Sequence, residues 1–194
     1  MARLAVFVAS SAEIKKDLIP ARMGSFEISV CYTGLGKVRS ALSAQALLLK
    51  SPFDHAINLG TAGSHLLAPG TLTEVESFVE RDVDLSVAGI KPGFFPGAEG
   101  QIKSGRKYFR DLPAAICGSG DRIDLRPPAV ACDIYDMEAF GIALACQKLG
   151  LSLVALKYIT DTSKGAVAED WKKNLNQAQE SLFGAFQQFI KIIS

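Results

Sequence analysis

The sequence predicts an α/β fold, a single-domain α/β/α sandwich over residues 1–194 with a central mixed, mostly parallel β-sheet. Two observations carry that expectation. Short apolar, β-branched runs alternate along the chain with runs of helical periodicity, the pattern left by strands lying side by side with helices crossing over them. Hydrophobic residues make up 48% and charged residues 21% of 194, enough apolar side chain to bury one sizeable core.

Residues 3–9 (Arg-Leu-Ala-Val-Phe-Val-Ala) read as the first strand, and Ser10-Ser11 leads into an amphipathic segment at 13–19 that reads as a helix. Residues 26–32 form a second strand. Gly34-Leu35-Gly36 is a turn, and 38–49, rich in Ala and Leu, is a helix. A third strand covers 55–59, and 72–83 alternates as a half-buried strand ending in Arg81-Asp82-Val83-Asp84. Residues 89–105, with five glycines and with Pro92 and Pro96, read as a loop. A strand at 114–117 runs into Gly118-Ser119-Gly120-Asp121, and a breaker at Pro127-Pro128 precedes the extended run 131–135. Asp136 caps a helix that continues through Leu149 and stops at Gly150. Residues 152–159 are the most apolar strand. A last helix begins near Ala168 and carries Trp171, Leu175, Ala178, Leu182, Phe186, Phe189 and Ile193 on one stripe, which assigns Trp171 to the core.

Composition excludes several classes. Lys and Arg number 21 against 20 Asp and Glu, so no basic excess exists to neutralise phosphates, and no nucleic-acid partner is expected. The longest apolar run, 139–146, is far short of the ~20 residues that span a bilayer, so no membrane partner is expected either. The apolar stretch at 4–9 is too short for a secretory leader, and a cytoplasmic location follows as the expectation. Cys31, Cys117, Cys132 and Cys146 show no zinc or redox spacing and read as buried thiols. No metal or cofactor is expected.

Ligands of open α/β sheets bind beyond the carboxyl ends of the strands. Five places there are polar or glycine-rich: Glu13, Gly34-Leu35-Gly36-Lys37, Gly60-Thr61-Ala62-Gly63, Asp136-Met137-Glu138 and Thr160-Asp161-Thr162-Ser163. The first glycine turn fails both nucleotide-loop templates, since Arg39 and Cys31 stand where each needs another glycine. Taken singly, Glu13 reads as a solvated helix residue, and Glu138 reads equally as a helix-start acid. Asp161 is less ordinary. It follows the most apolar strand, where a carboxylate needs a partner, a cap or a function.

Together these segments resemble the nucleoside phosphorylase and nucleosidase family, particularly its methylthioadenosine/adenosylhomocysteine nucleosidases. Thr33-Gly34-Leu35-Gly36-Lys37-Val38, Ile57-Asn58-Leu59-Gly60-Thr61-Ala62-Gly63, Arg81-Asp82-Val83-Asp84, Ser119-Gly120-Asp121, Asp136-Met137-Glu138-Ala139 and Thr160-Asp161 occur in the family's order. The resemblance implies a nucleoside phosphorylase-like fold and a purine nucleoside as small-molecule substrate, cleaved at its N-glycosidic bond. It implies that Asp161 protonates or hydrogen-bonds N7 of the departing base and that Glu13 is the general base on the attacking water. It implies further that Glu138 clamps the ribose 2′ and 3′ hydroxyls and that Met137 packs beneath the sugar. Thr61, Ala62, Gly63 and Ile123 complete the expected binding residues. Relatives form homodimers in which the neighbouring chain closes the sugar's 5′ side, and the stretch around Phe94-Phe95 is the expected contact.

The phosphorylase branch places an arginine just before the glycine-rich turn of the third strand, where this chain has Asn58. That favours water as nucleophile. Lys37 and Arg39 keep phosphorolysis open as the alternative, and a catalytically silent nucleoside-binding or storage member is the other one. The chain is shorter than its relatives on either side of Gly120-Asp121 and carries Arg122-Ile123-Asp124 where adenine-specific members stack an apolar pair on the base. The base identity stays open.

Overall fold

The computed structural model describes residues 1–98, 100–123, 128–162 and 166–194. The expected Asp124, Pro127 and Ser163 lie outside the described residues. The strands are β1 (Ala2–Val8), β2 (Arg22–Met23), β3 (Phe26–Tyr32), β4 (His55–Gly63), β5 (Leu72–Glu80), β6 (Gln101–Lys103), β7 (Ala114–Ser119), β8 (Ile134–Asp136) and β9 (Leu153–Asp161). The helices are α1 (Lys37–Leu48), α2 (Ala139–Lys148) and α3 (Val167–Ile193). No helix among the described residues is long and apolar enough to cross a membrane.

All nine strands join one mixed sheet. Parallel pairing links β1 to β3 and to β4, β4 to β9, β5 to β7 and β7 to β8. Antiparallel pairing links β2 to β3, β5 to β6, β5 to β9, and β4 to β8 at Gly63 and Tyr135. The strands β4, β9, β5, β7 and β8 therefore close on themselves, and β1 and β3 extend the sheet from β4. Closure brings the carboxyl ends of β4, β8 and β9 around one opening.

Strand periodicity sorts the core into two layers. In β1, Ala5 and Phe7 pack with α1 and α2, while Leu4, Val6 and Val8 pack with α3. From Ala178 onward the α3 stripe is buried as the spacing predicts, through Leu182, Phe186 and Phe189. This is the three-layer α/β/α arrangement, with the site at the edge of the middle layer.

Several boundaries differ from the sequence reading. Residues 13–19 do not form a helix. They make two successive turns, closed by Glu13 N–H to the Ser10 carbonyl at 3.2 Å and Leu18 N–H to the Lys15 carbonyl at 3.2 Å. The segment is short and ends at Pro20, so helix nucleation is not repaid. Its apolar residues Ile14 and Ile19 are buried in the α3-side core instead. β4 continues past Leu59 to Gly63 because β9 pairs with it throughout, with a register shift at Ala62/Gly63. The stretch 89–105 contains β6, paired with β5. The helix expected from Asp136 begins at Ala139, with Glu138 rather than Asp136 at its N-cap position, because Asp136 belongs to β8; Asp136 Oδ2 accepts the Ala139 N–H at 2.9 Å.

Candidate active site

A cavity of about 320 Å³ opens where β1, β4, β8 and β9 end and α3 begins. All eight residues singled out in the sequence line it: Glu13, Thr61, Ala62, Gly63, Ile123, Met137, Glu138 and Asp161. Three of them are carboxylates with little exposure, Glu13 at 6%, Glu138 at 7% and Asp161 at 4%. Carboxylates that deep in an otherwise apolar cavity need donors.

Glu13 reaches the site because the turns after β1 swing it over the end of β4. Its Oε1 accepts the Thr61 N–H at 2.8 Å and the Thr61 hydroxyl at 2.7 Å. Its Oε2 is buried and has no hydrogen-bond partner among the described residues. Gly60 allows this approach: a Cβ there would lie 3.3 Å from Glu13 Oε1 and 3.1 Å from Lys157 Nζ. The amide and hydroxyl of Thr61, expected at the substrate, are thus both engaged with Glu13.

Glu138 immediately precedes α2, and its Oε1 accepts the Gly36 N–H at 3.0 Å. Gly36 has φ +94°, a conformation that keeps glycine there, so the first glycine turn serves to aim an amide at this carboxylate. Burial, reinforced by the nearby Asp136 charge, pushes Glu138 up to about 7. Lys157 and the Gly36 amide oppose that shift. Met137 lies between Glu138 and Asp136 on the cavity wall.

Beneath Glu138 lies an ion pair with no solvent access. Lys157 Nζ meets Asp136 Oδ2 at 2.8 Å, with side-chain exposures of 2% and 1%. Ser119 Oγ donates to Asp136 Oδ1 at 2.5 Å and accepts the Phe140 N–H at 2.8 Å. Burial alone would raise Asp136, but the Lys157 charge together with hydrogen bonds from Lys157, Ser119 and the Ala139 amide outweighs it and holds it below the usual carboxylate range. Burial alone would lower Lys157, and the charge of Asp136, with those of Glu13 and Glu138, raises it instead. Sequence reading missed this pair. Its signal was a lysine set inside the most apolar strand of the chain, which demands a buried anion.

Asp161 ends β9, a strand buried along its whole length. The Thr160 hydroxyl donates to Asp161 Oδ2 at 3.0 Å, and the Asp161 carbonyl accepts the Ser64 N–H at 3.0 Å. Asn174 of α3 ties down the same corner by donating to the Thr160 carbonyl at 2.7 Å.

A further wall of the cavity is lined by Arg81, Arg122, Ile123 and Tyr135. Arg81 is 6% exposed, lies 6.0 Å over the Tyr135 ring and donates to the carbonyls of Gly120 (3.4 Å) and Arg122. Ile123, by contrast, is 66% exposed. Tyr135 and Arg81 were not marked as site residues in the sequence, although Arg81 belongs to a motif quoted there.

The structure corrects two further expectations. Lys37 is not available to an anion: its Nζ sits between Glu80 Oε1 at 2.9 Å and Asp82 Oδ1 at 2.6 Å. Its amide is taken by Asp121 Oδ1 at 2.7 Å, and Asp82 Oδ2 accepts the Asp121 N–H at 2.8 Å. The Gly-Lys, Arg-Asp-Val-Asp and Gly-Asp motifs thus form one charge network clamping the start of α1. Arg39 is exposed and does not line the cavity. Trp171, assigned to the core stripe, instead lines the cavity and donates its indole N–H to Thr61 Oγ1 at 3.0 Å. The helical stripe turns toward the cavity in the first turns of α3, ahead of the layer that begins at Ala178. His55 and His65 pack on Phe26 and Tyr135 respectively.

No protein-family model matches the chain. It is 24% identical over 196 residues to a 5′-methylthioadenosine/S-adenosylhomocysteine nucleosidase of Staphylococcus haemolyticus, covering 89% of this chain and 85% of that one. It is 27% identical over 157 residues to an aminodeoxyfutalosine nucleosidase of Helicobacter pylori, covering 71% and 68%. Among solved structures, the Helicobacter pylori 5′-methylthioadenosine/S-adenosylhomocysteine nucleosidase superimposes with a TM-score of 0.90 at 20% identity, over 98% of this chain and 99% of that one. That structure is an Asp-to-Asn variant with 5′-methylthioadenosine in its active site. Futalosine hydrolase of the same organism gives a TM-score of 0.84 at 21% identity, over 98% and 96%.

Proposed function

We propose that this chain, which is similar in sequence and fold to nucleosidases of the nucleoside phosphorylase/nucleosidase family, is a purine nucleoside N-ribohydrolase, cleaving the N-glycosidic bond of an adenosine-type or related nucleoside with water. The observation that carries the reading is the convergence of Glu13, Glu138 and Asp161 on one cavity. Breaking this bond builds positive charge on the sugar and negative charge on the base, so acids are needed at both ends of it.

In this reading Asp161, aligned by the Thr160 hydroxyl, delivers a proton to N7 of the base. The attacking water gives its proton to the unpaired Oε2 of Glu13. Glu138 accepts hydrogen bonds from the 2′ and 3′ hydroxyls, Met137 packs under the ribose, and Ala62 and Gly63 let the β4 backbone come close to the substrate. Ile123 lies against the base. The engagement of Lys37 by Glu80 and Asp82 weighs against phosphate as nucleophile. Three buried acids at the strand ends weigh against a silent binder, because each costs desolvation with no structural return.

The proposal includes a second copy of the chain. Leu35, Val38 and Leu42 are exposed at 57%, 67% and 61%, and Leu35 lines the cavity rim, so a partner seated there would close the site. Phe95, 47% exposed, is the expected second contact. The four free cysteines suit a reducing, cytoplasmic setting.

The test is to mix wild type and Asp161→Asn with a panel of purine nucleosides and separate the products by chromatography. The reading expects free base from wild type, and bound, uncleaved nucleoside with Asp161→Asn. Equal base release by both would overturn the role of Asp161; release by neither would overturn the activity.

A further inference from the structure

We infer that Trp171 is a positioning residue that acts through Thr61 on Glu13, an inference that rests on the reading of Glu13 as general base. The hydrogen-bond chemistry fixes the direction. An indole N–H only donates, while a hydroxyl has one hydrogen and two acceptor sites. Trp171 Nε1, 3.0 Å from Thr61 Oγ1, therefore places its hydrogen on a hydroxyl lone pair. The hydroxyl hydrogen is then turned to Glu13 Oε1 at 2.7 Å. With the Thr61 N–H also at 2.8 Å from Oε1, both donors load one carboxylate oxygen and leave Oε2 without a donor among the described residues.

The consequence is an assigned division of labour within one carboxylate. Oε1 is the anchored oxygen and Oε2 the one left to take a proton. A donor behind a donor also polarises the second bond, so the indole strengthens the grip on Glu13 from two bonds away. Packing alone does not explain the residue: a phenylalanine would fill the same half-buried position on α3 without presenting an N–H to Thr61. Through this chain the docking of α3 is linked to the orientation of the base at the end of β4.

The experiment is a double-mutant cycle of Trp171→Phe and Thr61→Val, reading kcat and KM for base release. Thr61→Val is expected to lower kcat about 10- to 100-fold, as for loss of a bond to a charged group. Trp171→Phe is expected to lower it about 3- to 10-fold, as for one neutral hydrogen bond, with KM little changed. In the Thr61→Val background the same Trp171→Phe change is expected to leave kcat unaltered. An equal loss in both backgrounds, or no loss in the wild-type background, overturns the inference.

A second readout is independent of turnover. Trp171 is the one tryptophan of the chain, so its emission reports the bond directly. Replacing Glu13 with Gln is expected to shift that emission when Thr61 is present and not in Thr61→Val. An emission unaffected by Glu13 in both backgrounds contradicts the relay, whereas full turnover by Glu13→Gln contradicts the general-base reading and leaves the hydrogen-bond chain to be judged by its emission.

Discussion

The two walls of the cavity are built in different ways. In the proposed reading the sugar and the scissile bond meet a wall of acids held in the turns after β1, just ahead of α2 and at the end of β9, 4–7% exposed and with named donors on Glu13, Glu138 and Asp161. In the same reading the wall that meets the base ends in Ile123, which is 66% exposed. Rigid strand ends hold groups to the tolerances that bond breaking requires, while loops change without disturbing the sheet. The proposed reading therefore separates chemistry from base preference.

Breaking the rigid wall should cost the most. Glu13→Gln and Asp161→Asn are each expected to lower kcat by ~10²–10⁴, the worth of a positioned acid or base, in steady-state base release; near-normal turnover in either would remove that residue from the chemistry. Next comes Gly60→Ala, whose methyl would intrude between Glu13 and Lys157. A displaced carboxylate is expected to cost about 10²-fold in kcat while circular dichroism shows the fold intact, and an unchanged rate would show that Glu13 tolerates the shift.

Glu138→Gln sharpens the comparison, because the clamp has a pH signature. Its carboxyl is raised to about 7 from an ordinary 4.5, so the folded protein binds the proton more tightly than the unfolded chain. Its contribution to stability is full below about 4.5 and is lost as pH rises through about 7. Relative to wild type, Glu138→Gln should therefore gain melting temperature between pH 5 and pH 8, and a constant difference would contradict the shift. Nucleoside affinity should weaken in wild type as pH falls through about 7, where the clamp takes up its proton, and this dependence should vanish in the variant. The smallest effect is expected at the open wall. Ile123→Ala should change relative kcat/KM among bases by about 10-fold, within the range for lost apolar contact, with kcat on the best base nearly retained; a collapse of kcat would place Ile123 with the rigid wall.

Much of this was legible in the sequence, for physical reasons that vary by element. The centre of β9 was readable because it is a short apolar run that the sheet buries, and β3 because its β-branched and aromatic residues alternate with polar ones, with Phe26 and Ile28 buried. Asp161 stood out by position, at the end of the most apolar strand, whereas Glu13 and Glu138 took their roles from the combination of motifs that carries the family resemblance. The turns at residues 13–19 were misread because amphipathic spacing looks alike in a helix and in two turns that bury Ile14 and Ile19. The Asp136–Lys157 pair and the Trp171–Thr61 bond depend on closure of the sheet and the docking of α3, contacts between residues far apart in the chain. Lys37 misled for the same reason: its carboxylate partners lie on β5 and just beyond it.

The account stands most directly on the nucleophile. Purified protein is mixed with adenosine-type and other purine nucleosides in buffer free of phosphate, and the base and sugar released are separated and identified. The account predicts free base and free sugar at a rate that added phosphate does not change; a requirement for phosphate, with a sugar 1-phosphate as product, would contradict it.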